Sequence, residues 1–165
     1  MNRTHFKLLV LIIPFLLFIS CNKSSADDLK WYGFEKAVKL AAKQNKPIMV
    51  DFFADWCAWC YELDKKTFND PEVKEYLKEH FILTRLNADS RLRTIRYDGE
   101  LLSPYDLLMS TGSTGLPTVV FLDSNANFIY TQPGFHEKEF YLGLLKTMIE
   151  SIEKVRAEQQ GIGIE

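Results

Sequence analysis

Two cysteines two residues apart, Cys57 and Cys60, close the apolar run Pro47-Ile-Met-Val-Asp-Phe-Phe-Ala54 within the frame Trp56-Cys57-Ala58-Trp59-Cys60. A nearly continuous apolar run interrupted only by Asp51 reads as a strand buried on both faces, at the centre of a sheet. If a helix starts near Cys57, Cys60 lies one turn later and the two sulfurs can close a small disulfide. Cys57 is then the more exposed of the pair. It also sits where unpaired backbone N–H groups and the helix dipole stabilise a thiolate. A stabilised thiolate attacks disulfides, and the second sulfur is placed to resolve the mixed disulfide that results. Preceded by a strand, the pair reads as a redox-active dithiol, with Cys57 as nucleophile and Cys60 as resolving thiol.

The same spacing also suits half of a zinc site, a copper carrier or an inert structural disulfide. Structural zinc takes four ligands, often as a second cysteine pair. The only other cysteine is Cys21, and His5, His80 and His136 have no ligand spacing. No metal site is expected, and no cofactor beyond the Cys57–Cys60 disulfide. Thiol exchange needs no imidazole, so the histidines are read as surface or satisfied groups.

Further along, Gly115-Leu116-Pro117-Thr118 precedes the apolar run Val119-Val-Phe-Leu122. With the cysteine pair, this resembles the thioredoxin superfamily, whose members carry a cis-proline facing the dithiol. Asp51 lies six positions before Cys57, as the family's buried acid does; Trp56 precedes the nucleophile, and Gly134 fits the glycine after the last strand. More narrowly, Asp51–Cys60 and Thr67-Phe-Asn-Asp-Pro-Glu-Val73 are similar to the carboxy-terminal periplasmic domain of DsbD-type thiol:disulfide interchange proteins and their single-domain relatives. The resemblance spans about residues 30–152. It implies an α/β, thioredoxin-like fold with a central mixed β-sheet flanked by helices. It also implies a cis Leu116–Pro117 bond that turns the Leu116 backbone toward a substrate chain for strand-like hydrogen bonds.

At the amino terminus, Arg3 and Lys7 precede the apolar stretch Leu8–Ile19, and Ser20-Cys21 opens a polar one. Positive start, short apolar core and small residue describe an export signal, and the core, broken by Pro14, is shorter than the roughly 20 residues of a comfortable span. Phe18-Ile19-Ser20-Cys21 resembles a bacterial lipobox, in which Cys21 becomes a lipidated first residue. An uncleaved anchor and ordinary signal cleavage are the alternatives, and each leaves the domain outside the cytoplasm. The expected organisation is a lipoprotein-type signal over 1–20, a tether over 21–30, one domain over 31–156 and a tail over 157–165. Without the two bases of the signal, 18 basic residues face 22 acidic ones, a net charge of −4 with no basic cluster. That balance argues against nucleic-acid binding.

Apolar spacing predicts a helix from Phe34 to Asn45, stopped at Lys46-Pro47, then a strand over Ile48–Ala54 and a helix from near Cys57 to about Thr67. Asp70-Pro71 and Ser103-Pro104 are helix starts, the second running to about Met109. Phe81–Leu86 reads as a second parallel strand. Thr118–Leu122 and Phe128–Tyr130 flank the turn 123–127, and an amphipathic helix from Glu137 closes the domain, with fraying expected after Arg156. Asp89–Leu102 is longer than the connection relatives have there. Asp98-Gly99 marks a two-residue hairpin inside it, expected to border the dithiol with Arg91, Arg93 and Arg96 offered to an acidic partner.

A charge in an apolar strand costs energy unless it is solvated or protonated, so burial should raise the Asp51 pKa. Such a group can exchange a proton with Cys60 as that thiol attacks the mixed disulfide. Trp56 and Trp59 are candidates for lining a substrate groove, since a core position between two exposed-helix cysteines does not suit Trp59. Ala58-Trp59 matches none of the dipeptides of thioredoxin, DsbA or disulfide isomerase, which leaves the direction of electron flow open. The lack of proline there is similar to the DsbD domain and favours reduction. The expected activity is extracytoplasmic, membrane-tethered thiol:disulfide exchange in a bacterial envelope, reducing protein disulfides. Its partners are substrate proteins, a membrane electron donor and, through the lipid on Cys21, the membrane. An apocytochrome c thiol reductant, an isomerase and a copper-binding module are the alternatives.

Overall fold

The computed structural model describes residues 28–161, so the expected signal over 1–20, Cys21 and most of the expected tether lie outside the described residues. In chain order the elements are β1 (Trp31–Tyr32), α1 (Phe34–Gln44), β2 (Ile48–Phe53), α2 (Ala58–Leu63), a π-helical segment Asp64–Phe68 and α3 (Pro71–His80). They continue with β3 (Ile82–Asn87), β4 (Ile95–Tyr97), β5 (Glu100–Leu102), α4 (Pro104–Ser110), β6 (Thr118–Leu122), β7 (Phe128–Pro133) and α5 (Lys138–Gly161). Five strands form one mixed sheet in the order β1-β3-β2-β6-β7, with β1 and β2 parallel to β3, and β6 antiparallel to β2 and β7. This is the α/β, thioredoxin-like arrangement the sequence implies.

Successive strand residues face opposite sides, and the core divides accordingly. Ile48, Val50 and Phe52 of β2 pack with Phe34, Ala37 and Ala41 of α1 and with Leu107 and Leu108 of α4. Met49 packs on the other face with Leu63, Phe68, Val73 and Leu77, and with Tyr141 and Leu145 of α5. Asp51 falls on that second face. Local signals set the helix starts. Asp70 accepts from the Glu72 and Val73 N–H groups, with Pro71 as the first helical residue, and Ser103 with Asp106 forms a reciprocal capping box.

β1 has no counterpart in the sequence expectation, and three of the expected elements depart from it. The helix after Cys57 does not stay α-helical to Thr67. It widens after Leu63 into the π turn, closed by the Asn69 N–H on Asp64 O (2.8 Å). Leu63, Thr67 and Phe68 all bury there, and the Thr67 hydroxyl donates to His136 O (2.7 Å). The last helix continues to Gly161, past Arg156, whose guanidinium donates to Asn45 O (3.1 Å) and so ties that turn to the end of α1.

The hairpin is where the sequence put it, but not where it was expected to point. β4 and β5 pair antiparallel across Asp98-Gly99, both with positive φ (+48° and +81°), as a tight two-residue turn requires. Ile95 is buried in the α1 side of the core, and Tyr97 packs edge-on to Phe34 at 6.1 Å. Tyr97 also roofs a cavity of about 130 Å³ over Val50, Phe52 and Val120. The turn therefore stands against Asn125–Phe128, at the β6–β7 turn. Register places that turn beside Ile48, the end of β2 opposite Cys57. Burying the period-two pair Ile95 and Tyr97 against the sheet sends the hairpin away from the dithiol. Only the residues before it, Ala88–Thr94, start at the Cys57 end.

Candidate active site

The carboxyl end of β2 delivers the cysteines. Cys57 caps α2 in extended conformation, and its Sγ accepts the Cys60 backbone N–H at 3.1 Å. Cys57 and Cys60 form a disulfide, with Cα atoms 5.3 Å apart. Exposure does not separate them as expected: each is 7 % exposed, tucked against Ala54, Phe53 and Leu116. What separates them is the cap. Only Cys57 Sγ receives a backbone donor from the first helical turn, and that donor favours its thiolate.

Leu116–Pro117 is cis, and its loop is held from three sides. The Thr118 hydroxyl donates to Gly115 O (2.7 Å) and meets Ser113 Oγ (2.7 Å), while the Gly134 N–H donates to Pro117 O (2.8 Å). Gly134 has φ +83°, a conformation that favours glycine. Among the described residues, neither the Leu116 N–H nor its C=O has a hydrogen-bond partner. Trp56 and Trp59 flank the disulfide at 71 % and 61 % exposure, and Trp59 lies 5.5 Å from the Phe135 ring.

Asp51 is buried, at 2 % exposure, and it is not alone. Arg85 pairs with it in register on β3. Arg85 Nε and Nη2 both reach Asp51 Oδ2, at 2.8 and 2.7 Å, and Nη2 also bonds Asp64 Oδ1 at the start of the π turn. The guanidinium lies 4.4 Å from the Trp31 ring centre and 5.2 Å from that of Phe53, cation–π contacts that suit arginine. An open cleft of about 450 Å³ lined by Trp31, Tyr61, Asp64 and Arg85 brings solvent to the outer side of this cluster.

Burial pushes the Asp51 carboxyl up to about 6, against the pull of the Arg85 charge and hydrogen bond and with a small push from Asp64. Arg85 is held above its usual value: burial works against its charge, and the two carboxylates outweigh it. Among the described residues Asp51 Oδ1 has no partner, and neither does the hydroxyl of Tyr141, which burial and then the Asp51 charge push upward. With Oδ2 occupied by Arg85, a proton on Asp51 belongs on Oδ1. Among the described residues, no group of three or more His, Cys, Asp or Glu is arranged to hold a metal. His136 bonds Gln132 (2.8 Å) and stacks on Phe140 (4.1 Å).

Sequence reasoning missed Arg85 and Asp64. A signal for Arg85 exists: it is the lone cation of Ile82-Leu-Thr-Arg-Leu, the fourth residue of its strand, as Asp51 is of the parallel neighbour. Asp64 gives none, because its position depends on the π turn.

Comparison with known proteins gives consistent relatives. The family described as Thioredoxin-like matches residues 30–124. The thiol:disulfide interchange protein DsbD of Vibrio vulnificus is 42 % identical over 93 residues, 56 % of this chain and 14 % of that protein. The chain thus spans about a seventh of the length of that curated relative. Among solved structures, the reduced DsbD carboxy-terminal domain of Neisseria meningitidis is 26 % identical with a TM-score of 0.52, covering 68 % of this chain and 91 % of that one. A DsbH oxidoreductase, 19 % identical, shares the fold with a TM-score of 0.59 over 74 % of this chain and 85 % of its own.

Proposed function

The chain belongs to the thioredoxin-like family, and from that premise we propose that it reduces protein disulfides outside the cytoplasm through Cys57 and Cys60. The observation that carries this reading is the Cys57–Cys60 disulfide itself, capped at Cys57 Sγ, packed on Leu116 and flanked by two exposed tryptophans. The relatives named thiol:disulfide interchange proteins support it.

In the reduced protein the Cys57 thiolate attacks one sulfur of a substrate disulfide. The substrate S–S bond breaks, one substrate thiolate leaves, and a Cys57–substrate disulfide forms. The unpaired Leu116 N–H and C=O hydrogen-bond the substrate chain alongside. Cys60 then gives up its proton and attacks Cys57 Sγ. The second substrate sulfur leaves as a thiolate, which takes a proton from water, and the Cys57–Cys60 bond is restored. Two electrons pass from protein to substrate. Asp51 Oδ1 is the acceptor for the Cys60 proton; an ordinary aspartate would be too weak a base, and one raised to about 6 is better matched. Arg85 keeps that carboxylate from rising further, and Asp64 faces the solvent cleft into which the proton can leave. A membrane protein of the envelope returns the electrons.

Residues 1–20 act as a lipoprotein-type signal and Cys21 carries the lipid. Residues 21–30 are the tether, 31–156 the working domain and 157–165 its tail. One lipid chain gives only marginal binding, so lipidation of more than one position on Cys21 is required for a stable anchor.

The test is reduction of insulin and of a small neutral disulfide by the metal-free, dithiothreitol-reduced protein. Turnover lost in Cys57→Ser and Cys60→Ser supports the reading. Wild-type protein without turnover on either disulfide overturns it.

A further inference from the structure

The residues that follow β3 carry chemistry the exchange reaction does not use. Asn87–Arg91 is a tight turn: the Ala88 N–H donates to Phe53 O (2.8 Å), Ser90 N–H to Asn87 O (3.1 Å) and Arg91 N–H to Asp89 O (2.9 Å). On the dithiol side, the Trp56 indole N–H donates to Asp89 Oδ2. On the other side, the Arg91 guanidinium lies 4.1 Å above the ring of Tyr105 in α4. The turn is thus clamped between the tryptophan next to Cys57 and the first turn of α4.

At its crest Leu92 is 100 % exposed, and both its neighbours, Arg91 and Arg93, are exposed as well. A leucine wholly in water between two cations contributes nothing to the core. A single exposed leucine is ordinary by itself; what sets this one apart is its place between two arginines on a loop tied to the tryptophan beside Cys57. The nearby acids are engaged within the protein, Asp89 by Trp56 and Asp55 by Asn87 Nδ2 (3.4 Å). Among the described residues neither Arg91 nor Arg93 forms an ion pair, so the charges that flank Leu92 on either side are cationic, while Asp89 keeps its charge on the Trp56 side.

We infer that Leu92, between Arg91 and Arg93 on the loop that Trp56 bonds through Asp89, is a docking surface for a protein partner whose cystine is flanked by an apolar pocket rimmed with carboxylates. The inference rests on the disulfide-exchange reading of Cys57 and Cys60. It follows from continuity: a partner sulfur that reaches Cys57 covers Trp56, and Trp56 is bonded to this turn, so the partner's next contact is Leu92. Opposite charge speeds encounter, and the leucine fixes register once the surfaces meet. The hairpin beyond, committed to the core through Ile95 and Tyr97, is the fixed base of the loop and not part of the contact.

Three probes test it with reduced full-length protein: hydroxyethyl disulfide, and two disulfide-linked peptides that differ only in carrying Leu-Asp-Glu or Leu-Lys-Lys after the cysteine. Exchange is followed by tryptophan fluorescence. At low salt the acidic peptide should react about five- to tenfold faster than the basic one, and about 0.5 M salt should shrink that gap to under about twofold. Arg91→Ser/Arg93→Ser should abolish the preference, and Leu92→Ser should slow the acidic peptide about threefold, an interface-sized loss for one apolar contact. All variants should reduce hydroxyethyl disulfide at the wild-type rate. Equal peptide rates, or a preference that survives in the double variant, would overturn the docking surface. A wild-type protein inert toward hydroxyethyl disulfide would reject the exchange reading itself.

Discussion

Arg85→Met removes the interaction that lets Asp51 stay buried, together with the bond to the partly exposed Asp64, and Asp51→Asn separates the two. Methionine keeps an unbranched stem between Trp31 and Phe53 but removes both donors to Asp51 Oδ2. Breaking a buried pair costs about 3–5 kcal/mol because one charge is left uncompensated. Arg85 is 24 % exposed on its side chain, and Asp51 can escape by taking up a proton, so about 2–3 kcal/mol is expected at pH 8. The pH dependence has a definite sign. Asp51 is raised to about 6 when folded, above an unfolded value of about 3.9. The folded state therefore binds more protons between those values, and the Asp51 contribution to stability falls as pH rises through them. Removing Arg85 lifts the folded pKa further and extends the loss upward in pH. Urea unfolding of the oxidised protein should thus show Arg85→Met nearly neutral near pH 4 and costly at pH 8. Asp51→Asn in the same chain should restore most of the loss, a coupling of about 2 kcal/mol. A cost equal at both pH values, or one untouched by Asp51→Asn, would refute the assignment of Arg85 as the partner that holds Asp51.

Asp51→Asn alone should raise stability by about 1–2 kcal/mol at pH 8 and leave it unchanged near pH 4, read by the same unfolding curves. In rapid-quench kinetics it should slow release of the mixed disulfide more than its formation, and a variant with normal release would place Asp51 outside the mechanism. Ile95→Ala should cost about 2–4 kcal/mol, as for other buried aliphatic truncations, while leaving the rate with hydroxyethyl disulfide unchanged; a stability loss below about 1 kcal/mol would mean the hairpin is not part of the core. Cys21→Ala should lose radiolabelled palmitate and processing at Ser20–Cys21 in cells, and unchanged labelling would show that another anchor operates.

The parts of this fold written in local chemistry were legible. The apolar run Ile48–Phe53, the caps Asp70 and Ser103 and the turn Asp98-Gly99 each carry their own signal, and the observed elements begin where those residues stand. The parts that depend on packing were not. β1 is two residues long and exists because Trp31 and Tyr32 pair with Leu83 and Thr84. The π turn comes from burying Leu63, Thr67 and Phe68 together, a condition no 3.6-residue period announces. Strand topology alone does not give the hairpin's direction, because the packing of Ile95 and Tyr97 decides it. In the site, the spacing of Cys57 and Cys60 was readable and the equal burial of the two residues was not. Arg85 shows the intermediate case: a charge visible in a buried strand, whose partner emerges only once the register is known.

Order of attack is the claim on which the mechanism turns, and trapping measures it directly. Full-length Cys60→Ser and Cys57→Ser, each reduced and mixed with oxidised insulin, are quenched in acid and resolved by non-reducing electrophoresis and mass spectrometry. Cys60→Ser should accumulate a covalent insulin adduct through Cys57, and Cys57→Ser should accumulate none. Equal adducts in both variants, or an adduct through Cys60 alone, would contradict the account.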